Sequence, residues 1–179
     1  MKRNPVLKKE LKKLSDADMV LLDTDAKTAF DTVMLTVKSL TAKKYFGIII
    51  TANRPYNTLI EAYNKAGIDI NKLFFVDCVT KQETPGKNVL FIGNTTALTN
   101  IAICIDECLQ LSTKRFVLID SITTMLLHND AGILARFSHN LLTKLRMTKA
   151  IGILVTVDKN INKELYAELA QLCDIVIQI

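Results

Sequence analysis

Seven short apolar runs, separated by longer segments with helical periodicity, are the feature of this sequence that most constrains its fold. The runs cover residues 19–23, 45–51, 73–77, 88–92, 115–120, 152–157 and 174–178. They are continuously apolar and do not alternate between apolar and polar residues, which is typical of parallel strands covered on both faces. The pattern predicts an α/β domain in which helices flank a mostly parallel central sheet of about seven strands.

The segments between these runs predict the crossover helices. Apolar side chains recur at helical spacing from Phe30 to Leu40, and a second stripe runs from Leu59 to Ala66 and stops at Gly67. Further helices are predicted over residues 98–111, 132–147 and 163–172. Strand and helix alternate throughout, so right-handed crossovers should connect the parallel strands.

The charge is concentrated at the start of the chain. The net charge is +5, but residues 1–14 hold six basic side chains and one acid, which leaves 17 basic and 17 acidic residues in the remainder. The predicted organisation is therefore a basic N-terminal arm over residues 1–14 and a single domain over residues 15–179. Nucleic-acid binding should be limited to weak contacts of this arm.

The arm is also amphipathic, because Leu7, Leu11 and Leu14 share one helical face. A protein surface is the expected docking site, since three leucines offer little area for membrane anchoring. We also expect residues 2–13 to be dispensable for the fold.

Composition excludes several classes of protein. The chain has no apolar run of about 18 residues, the length that a membrane-spanning helix needs, and we expect a cytoplasmic protein. Its four cysteines include no Cys-x-x-Cys pair. Cys104 and Cys108 share a helix face and could form half of a metal site, but inward packing is the favoured interpretation.

Polar residues end five of the predicted strands: Asp23, Thr51, Asp77, Asp120 and Thr156. Ligands of open α/β sheets bind outside the carboxyl ends of the strands, so these residues mark the expected functional edge. Each of them could instead cap the helix that follows. Three carboxylates on one edge would repel one another unless a cation or a hydrogen-bond donor lies among them.

Residues 21–28 (LLDTDAKT) have the position and the ending of a phosphate-binding P-loop, G-x-x-x-x-G-K-[ST]. Leu21 and Ala26 stand where the two glycines belong, and their side chains hinder the positive φ values that let backbone N–H groups enclose a phosphate. Asp23 and Asp25 add negative charge to the same place. The segment predicts a loop with the location of a P-loop and little of its chemistry.

Several segments together resemble the archaeal RecA/KaiC-like family of P-loop ATPase-like proteins, in the branch with eroded P-loops. They are residues 47–67 (GIIITANRPYNTLIEAYNKAG), 68–78 (IDINKLFFVDC), 114–129 (KRFVLIDSITTMLLHN) and 151–179. The resemblance implies a RecA-like three-layer αβα sandwich. It implies nucleotide contacts at Lys27, Thr28, Asp120 and Ser121, with Lys27 facing the phosphates, Thr28 facing the metal and Asp120 as the Mg²⁺ residue.

The chain departs from the active members of this family after the second strand. A catalytic glutamate stands there in those proteins, whereas this sequence has Thr51-Ala52-Asn53. With the glutamate and both glycines missing, the sequence predicts a pseudo-ATPase with weak or no nucleotide binding and without ATP or Mg²⁺ as a resident cofactor. Such a module would act through a protein partner or as a homo-oligomer.

Two enzymatic alternatives remain open. One is a residual ATPase. The other is a Mg²⁺-dependent phosphatase, because residues 19–28 followed by residues 47–55 also resemble the haloacid-dehalogenase family. There Asp23 would be the nucleophile, Asp25 the general acid/base, Thr51 the phosphate-orienting hydroxyl and Asp120 a metal ligand.

Overall fold

The fold is taken from a computed structural model, which describes residues 5–81, 84, 86–157 and 162–179. The strands are β1 (Met19–Thr24), β2 (Phe46–Thr51), β3 (Leu73–Asp77), β4 (Val89–Phe91), β5 (Arg115–Asp120), β6 (Ile151–Val157) and β7 (Ile175–Gln178). The α-helices are α1 (Pro5–Lys13), α2 (Ala29–Ala42), α3 (Tyr56–Lys65), α4 (Leu98–Cys108), α5 (Ile122–Leu126), α6 (Ala131–Met147) and α7 (Lys163–Leu172). A short 3-10 turn, Ile70–Lys72, precedes β3.

The seven strands form one sheet in the order β4-β3-β2-β5-β6-β1-β7, and every neighbouring pair of strands is parallel. All seven predicted strands are confirmed, with boundaries that agree within one residue. The sequence pattern missed α5 and the 3-10 turn, because neither is long enough to show a helical period. The carboxyl ends of all strands lie at one edge, where the site was expected.

Two apolar cores cover the two faces of the sheet. Successive strand residues point to opposite faces, so Leu21 packs with α4–α7 and Leu22 packs with α1–α3. The helices thus form two outer layers around the sheet, which confirms the three-layer αβα architecture. Because helices cover both faces of the sheet, most side chains on both faces of the strands are apolar, and the strands appear in the sequence as continuous apolar runs.

Helix α1 docks on the domain. Leu7, Leu11 and Leu14 are 0%, 1% and 3% exposed and belong to the core beneath α2 and α3. Lys43 Nζ donates hydrogen bonds to the carbonyl oxygens of Leu11 and Leu14 at 3.3 and 2.7 Å, which stabilises the C-terminal end of α1. The neighbouring lysines of α1 point outward and are exposed.

Within the part of the chain that the structure describes, no helix is both long and apolar enough to cross a membrane. Nor do these residues contain a group of three or more His, Cys, Asp and Glu side chains that could hold a metal ion. Cys104 and Cys108 are buried in the core around α4, and burial raises the pKa of the Cys108 thiol to about 12. Both cysteines therefore act as small apolar side chains.

Shortening a core leucine of α1 should destabilise the whole domain. We expect Leu11→Ala to lower the free energy of unfolding by about 2–5 kcal/mol, because the change leaves a cavity in a packed core. Lys9→Ala, on the exposed side of the same helix, is the control and should change it by less than about 0.5 kcal/mol. Urea denaturation followed by circular dichroism measures both.

The same burial revises the expectation that residues 2–13 are dispensable. Deleting them would expose the apolar surface that Leu7 and Leu11 cover, so the deletion should lower the stability of the domain. Leu11→Ala and Lys9→Ala variants of equal stability would show that α1 contributes nothing to the core.

Candidate functional site

A cavity of about 590 Å³ opens at the carboxyl edge of the sheet. Its walls come from segments at the ends of four strands: Ala26 and Ala29 after β1, Asn53 and Arg54 after β2, Asp120 and Ser121 at the end of β5, and Val157 at the end of β6. This volume lies within the range of small-molecule sites. The parallel sheet brings these segments together, because all of its strands end at this edge.

The connection from β1 to α2 is shorter than the P-loop pattern predicts. Strand β1 continues to Thr24 and α2 begins at Ala29, so only residues 25–28 join them. Leu21, at the position of the first glycine in that pattern, lies inside β1 and is fully buried. Because β1 pairs with β6 on one side and with β7 on the other, its backbone N–H and C=O groups are used in hydrogen bonds to these two strands.

Asp25 closes this short turn. Its Oδ1 accepts hydrogen bonds from the backbone N–H groups of Lys27 and Thr28 at 2.8 and 3.0 Å, and its carbonyl oxygen accepts one from Ala29 at 2.9 Å. The backbone hydrogen bond from Thr28, opposed by some desolvation and helped by the bond from Lys27, lowers the pKa of Asp25. The Asp25 carboxylate therefore lies at the amino end of α2, where helices bind anions.

Lys27 and Thr28 lie in the turn immediately before α2, and Thr28 is the N-cap residue of that helix. Lys27 is exposed, and Thr28 Oγ1 lies 3.2 Å from the hydroxyl of Thr24. The described residues that line the cavity include neither of them. The structure thus brings together two of the four predicted nucleotide contacts, Asp120 and Ser121, and places the other two outside the cavity wall.

Asp120 and Ser121 form the buried floor of the cavity and are 6% and 1% exposed. Burial raises the pKa of Asp120, although a hydrogen bond from Asn53 and the charge of Arg54 oppose this shift. Ser121 Oγ accepts a hydrogen bond from the backbone N–H of Thr124 at 3.2 Å and caps α5. The peptide bond between Asp120 and Ser121 is cis.

Asn53 stands where the family resemblance leads one to expect a catalytic glutamate. Its Nδ2 donates to Asp120 Oδ1 at 3.0 Å and to Ser121 Oγ at 3.4 Å, and its Oδ1 accepts a hydrogen bond from the Thr124 hydroxyl. The amide links the loop after β2 to the segment after β5. An amide cannot take up a proton from water as a carboxylate can. The Thr124 contact could not be predicted from the sequence, because Asn53 and Thr124 are brought together only by the fold.

Two of the other polar strand ends, Asp77 and Thr51, make hydrogen bonds within the fold. Asp77 is fully buried, and its carboxylate accepts hydrogen bonds from the backbone N–H groups of Tyr56, Val79 and Thr80 and from the Thr80 hydroxyl. Thr51 Oγ1 donates to the carbonyl oxygen of Arg54 at 2.7 Å and closes the turn after β2. Asp77 therefore does not cap the helix that follows it, but holds the loop after β3 and the first residue of α3.

Asp23 and Thr156 lie on adjacent strands in the same register. Asp23 accepts a hydrogen bond from the Tyr166 hydroxyl at 3.3 Å, on the side of the sheet that α7 covers. Thr156 Oγ1 is buried without a hydrogen-bond partner among the described residues. Asp23, Asp25 and Asp120 thus have separate hydrogen-bond partners and do not share one donor.

Comparison with known proteins agrees with this architecture. A crystal structure of a KaiC-like protein from the hyperthermophilic archaeon Pyrococcus horikoshii OT3 superposes with a TM-score of 0.66, at 17% sequence identity over 91% of this chain and 72% of that one. The flagellar accessory protein FlaH from Methanocaldococcus jannaschii gives a TM-score of 0.69, at 10% identity over 99% of this chain and 77% of that one. These similarities show the RecA-like fold.

Comparison with curated protein sequences gives no match. A family model described as "ATPase: KaiC" matches residues 25–179, which is most of the chain. The match favours the RecA/KaiC interpretation of the sequence over the haloacid-dehalogenase one. The chain belongs to the KaiC family of ATPase domains.

Proposed function

We propose that this protein is a KaiC-family domain that has lost ATP hydrolysis and acts through association with other protein chains in the cytoplasm, as a homo-oligomer. One observation carries the proposal: the Asp25 carboxylate accepts the backbone hydrogen bonds of Lys27 and Thr28 at the amino end of α2. Those N–H groups are the ones that a phosphate would need at this position.

The negative charge of Asp25 is evidence for weak or absent nucleotide binding. A phosphate approaching α2 would have to displace this carboxylate from two short hydrogen bonds and remain beside its negative charge. The shortness of the turn works in the same direction, because residues that would form the loop belong to β1. The affinity of the site for phosphate should therefore be low.

The residues around Asp120 support the loss of hydrolysis. Phosphoryl transfer to water needs a group that orients the attacking water. The residue at the position expected for that group is Asn53, whose side-chain amide is hydrogen-bonded to Asp120, Ser121 and Thr124. If Mg·ATP did bind, Lys27, Thr28, Asp120 and Ser121 would be the residues to hold it. Asp120 supplies one buried carboxylate, already bonded to Asn53, which is a weak donor set for Mg²⁺.

Exposed apolar side chains support association. Five large ones lie on or next to α4, α5 and α6: Ile103, Leu111, Leu127, Ile133 and Met147, with exposures between 47% and 81%. A groove of about 420 Å³ between α4 and α6 adds Leu98 and Phe137 to this surface. Concentration of apolar side chains on one layer is typical of protein interaction surfaces.

Removing the Asp25 carboxylate tests the proposal. Mg·ATP should not raise the melting temperature of the wild type, because a ligand stabilises a protein only when it binds the native state. Asp25→Ala removes the carboxylate that accepts hydrogen bonds from the N–H groups of Lys27 and Thr28 and should give a measurable stabilisation by Mg·ATP. Asp130→Ala, which removes the cap of α6 at a residue that does not line the cavity, is the control and should bind no more ATP than the wild type.

Two results of this experiment would contradict the proposal. The first is a saturable stabilisation of the wild type by Mg·ATP that Asp120→Asn abolishes. The second is release of phosphate from ATP by the wild type at a rate that Asn53→Ala reduces. Either result would favour the residual ATPase.

The acid dependence of stability tests whether Asp25 makes these hydrogen bonds. Its pKa lies below the ordinary value of 3.8 that it has in the unfolded chain, so its contribution to stability is present above pH 3.8 and is lost as the pH falls through the lowered pKa. The stability difference between wild type and Asp25→Asn, from urea denaturation, should be constant near neutral pH and shrink as the pH falls below 3.8. A difference that grows on acidification would show that the carboxylate is not hydrogen-bonded in the native state.

Solution mass tests association. Sedimentation velocity of the wild type should give a mass that is a multiple of the 20.0 kDa chain. Ile133→Arg, on the exposed apolar surface, should shift the distribution toward single chains, because it places a charge in the interface. Val6→Arg, on exposed α1 at the opposite face of the sheet, should leave it unchanged. A wild type that sediments as a single chain at all concentrations would contradict the homo-oligomer.

A further inference from the structure

Arg54 is held in a fixed place at the mouth of the cavity. Its backbone is anchored to Thr51 by two hydrogen bonds, one from the Thr51 hydroxyl to the Arg54 carbonyl at 2.7 Å and one from the Arg54 N–H to Thr51 Oγ1 at 3.2 Å. The guanidinium carbon lies 4.3 Å from the centre of the Phe30 ring. Stacking on an aromatic ring orients the plane of an arginine and leaves its N–H edge free.

The donors of this guanidinium have no acceptor among the residues that the structure describes. The four ion pairs formed by those residues do not involve Arg54. Asp120, the buried carboxylate of the same cavity, is hydrogen-bonded to Asn53 instead. Thr123 adds a second donor to the cavity wall, because its Oγ1 accepts a hydrogen bond from the Val157 N–H at 2.8 Å and its own proton remains available.

An oriented guanidinium and a free hydroxyl suit an anion, and the surrounding charges decide which kind. Asp120 lies in the cavity, and Asp25 precedes Ala26 of its wall. A phosphate with two negative charges would be repelled by both carboxylates more strongly than a group with one charge. A carboxylate carries a single charge, and its planar pair of oxygens matches the fork of a guanidinium.

We propose that this cavity binds a glutamate or aspartate side chain of a protein partner, with Arg54 as its bidentate donor. The proposal rests on the proposed function, in which the domain acts through protein association. The cavity of about 590 Å³ has room for the acidic side chain and for part of the segment that presents it. Arg54 would then recognise a partner at the edge of the sheet where ATP is expected to bind poorly.

A titration with blocked glutamate tests this proposal. N-acetyl-L-glutamic acid α-amide is added to the ¹⁵N-labelled full chain, and the backbone amide and arginine Nε–H signals are followed by NMR. We expect saturable shifts at the Arg54 side chain and at the amides of Thr123 and Thr124. Blocked glutamine and inorganic phosphate, added under the same conditions, should bind more weakly than blocked glutamate.

Matched arginine variants identify the donor. Arg54→Gln should weaken binding about tenfold or more, because it removes the charge and the fork. The affinity of Arg54→Lys for blocked glutamate should lie between those of wild type and Arg54→Gln, because lysine keeps the positive charge but lacks the paired N–H donors of the guanidinium. Arg136→Gln removes an exposed arginine of α6 that lines other grooves, and it should bind blocked glutamate as the wild type does.

Several results would overturn the proposal. They are no saturable binding of blocked glutamate, equal binding by wild type and Arg54→Gln, or tighter binding of blocked glutamine or inorganic phosphate. Failure here is distinguishable from failure of the proposed function, because Mg·ATP binding and solution mass are measured without blocked glutamate. A wild type that hydrolyses ATP would refute the proposed function and leave the glutamate titration interpretable by itself.

Discussion

The pairing of β1 with β6 on one side and with β7 on the other is the constraint on which the rest of the site depends. It keeps Met19–Thr24 extended and commits the backbone groups of that strand to the sheet. Four residues then remain to reach α2, and Asp25 makes the turn with its side chain as well as with its carbonyl oxygen. A strand that ended earlier would leave a longer loop, with backbone N–H groups free to face a ligand.

Under the proposed function, this arrangement explains how a RecA-like fold could be kept while its ligand chemistry changes. The carboxylate of Asp25 stabilises the positive end of α2 from within the chain, as a bound anion would from outside. At the floor of the cavity, the side-chain amide of Asn53 donates hydrogen bonds to Asp120 and Ser121. Among the described residues that line the cavity, Arg54 is exposed and positively charged. We infer from these features that the domain binds proteins in preference to nucleotides.

The layered fold could be predicted from the sequence because its cause is local and repeated. Each buried strand is a run such as residues 46–50 or 116–119, and a parallel sheet covered on both faces requires runs of this kind. Lys27 and Thr28 could be placed near the start of α2 for the same reason, since they lie between a strand and the helix that follows it. Helix α5 was missed because its five residues span little more than one turn.

The contacts of the site could be predicted only in part. The sequence puts Asp23 and Asp25 beside the start of α2, but the backbone path decides that Asp25 reaches the N–H groups of Lys27 and Thr28. The contact of Asn53 with Asp120 joins residues 67 positions apart, so it depends on the order of strands in the sheet. The full burial of Leu7 and Leu11 depends likewise on the packing of α1 against α2.

The most direct test of the central claim is a pH titration of the backbone amides of Lys27 and Thr28 by NMR, with and without Mg·ATP. We predict that both amide signals shift together as the Asp25 carboxylate is protonated, with a midpoint below the ordinary aspartate pKa of 3.8. At neutral pH, Mg·ATP should leave both signals in place. The account would be contradicted if the two amide signals did not shift when Asp25 is protonated, but shifted to saturation when Mg·ATP is added.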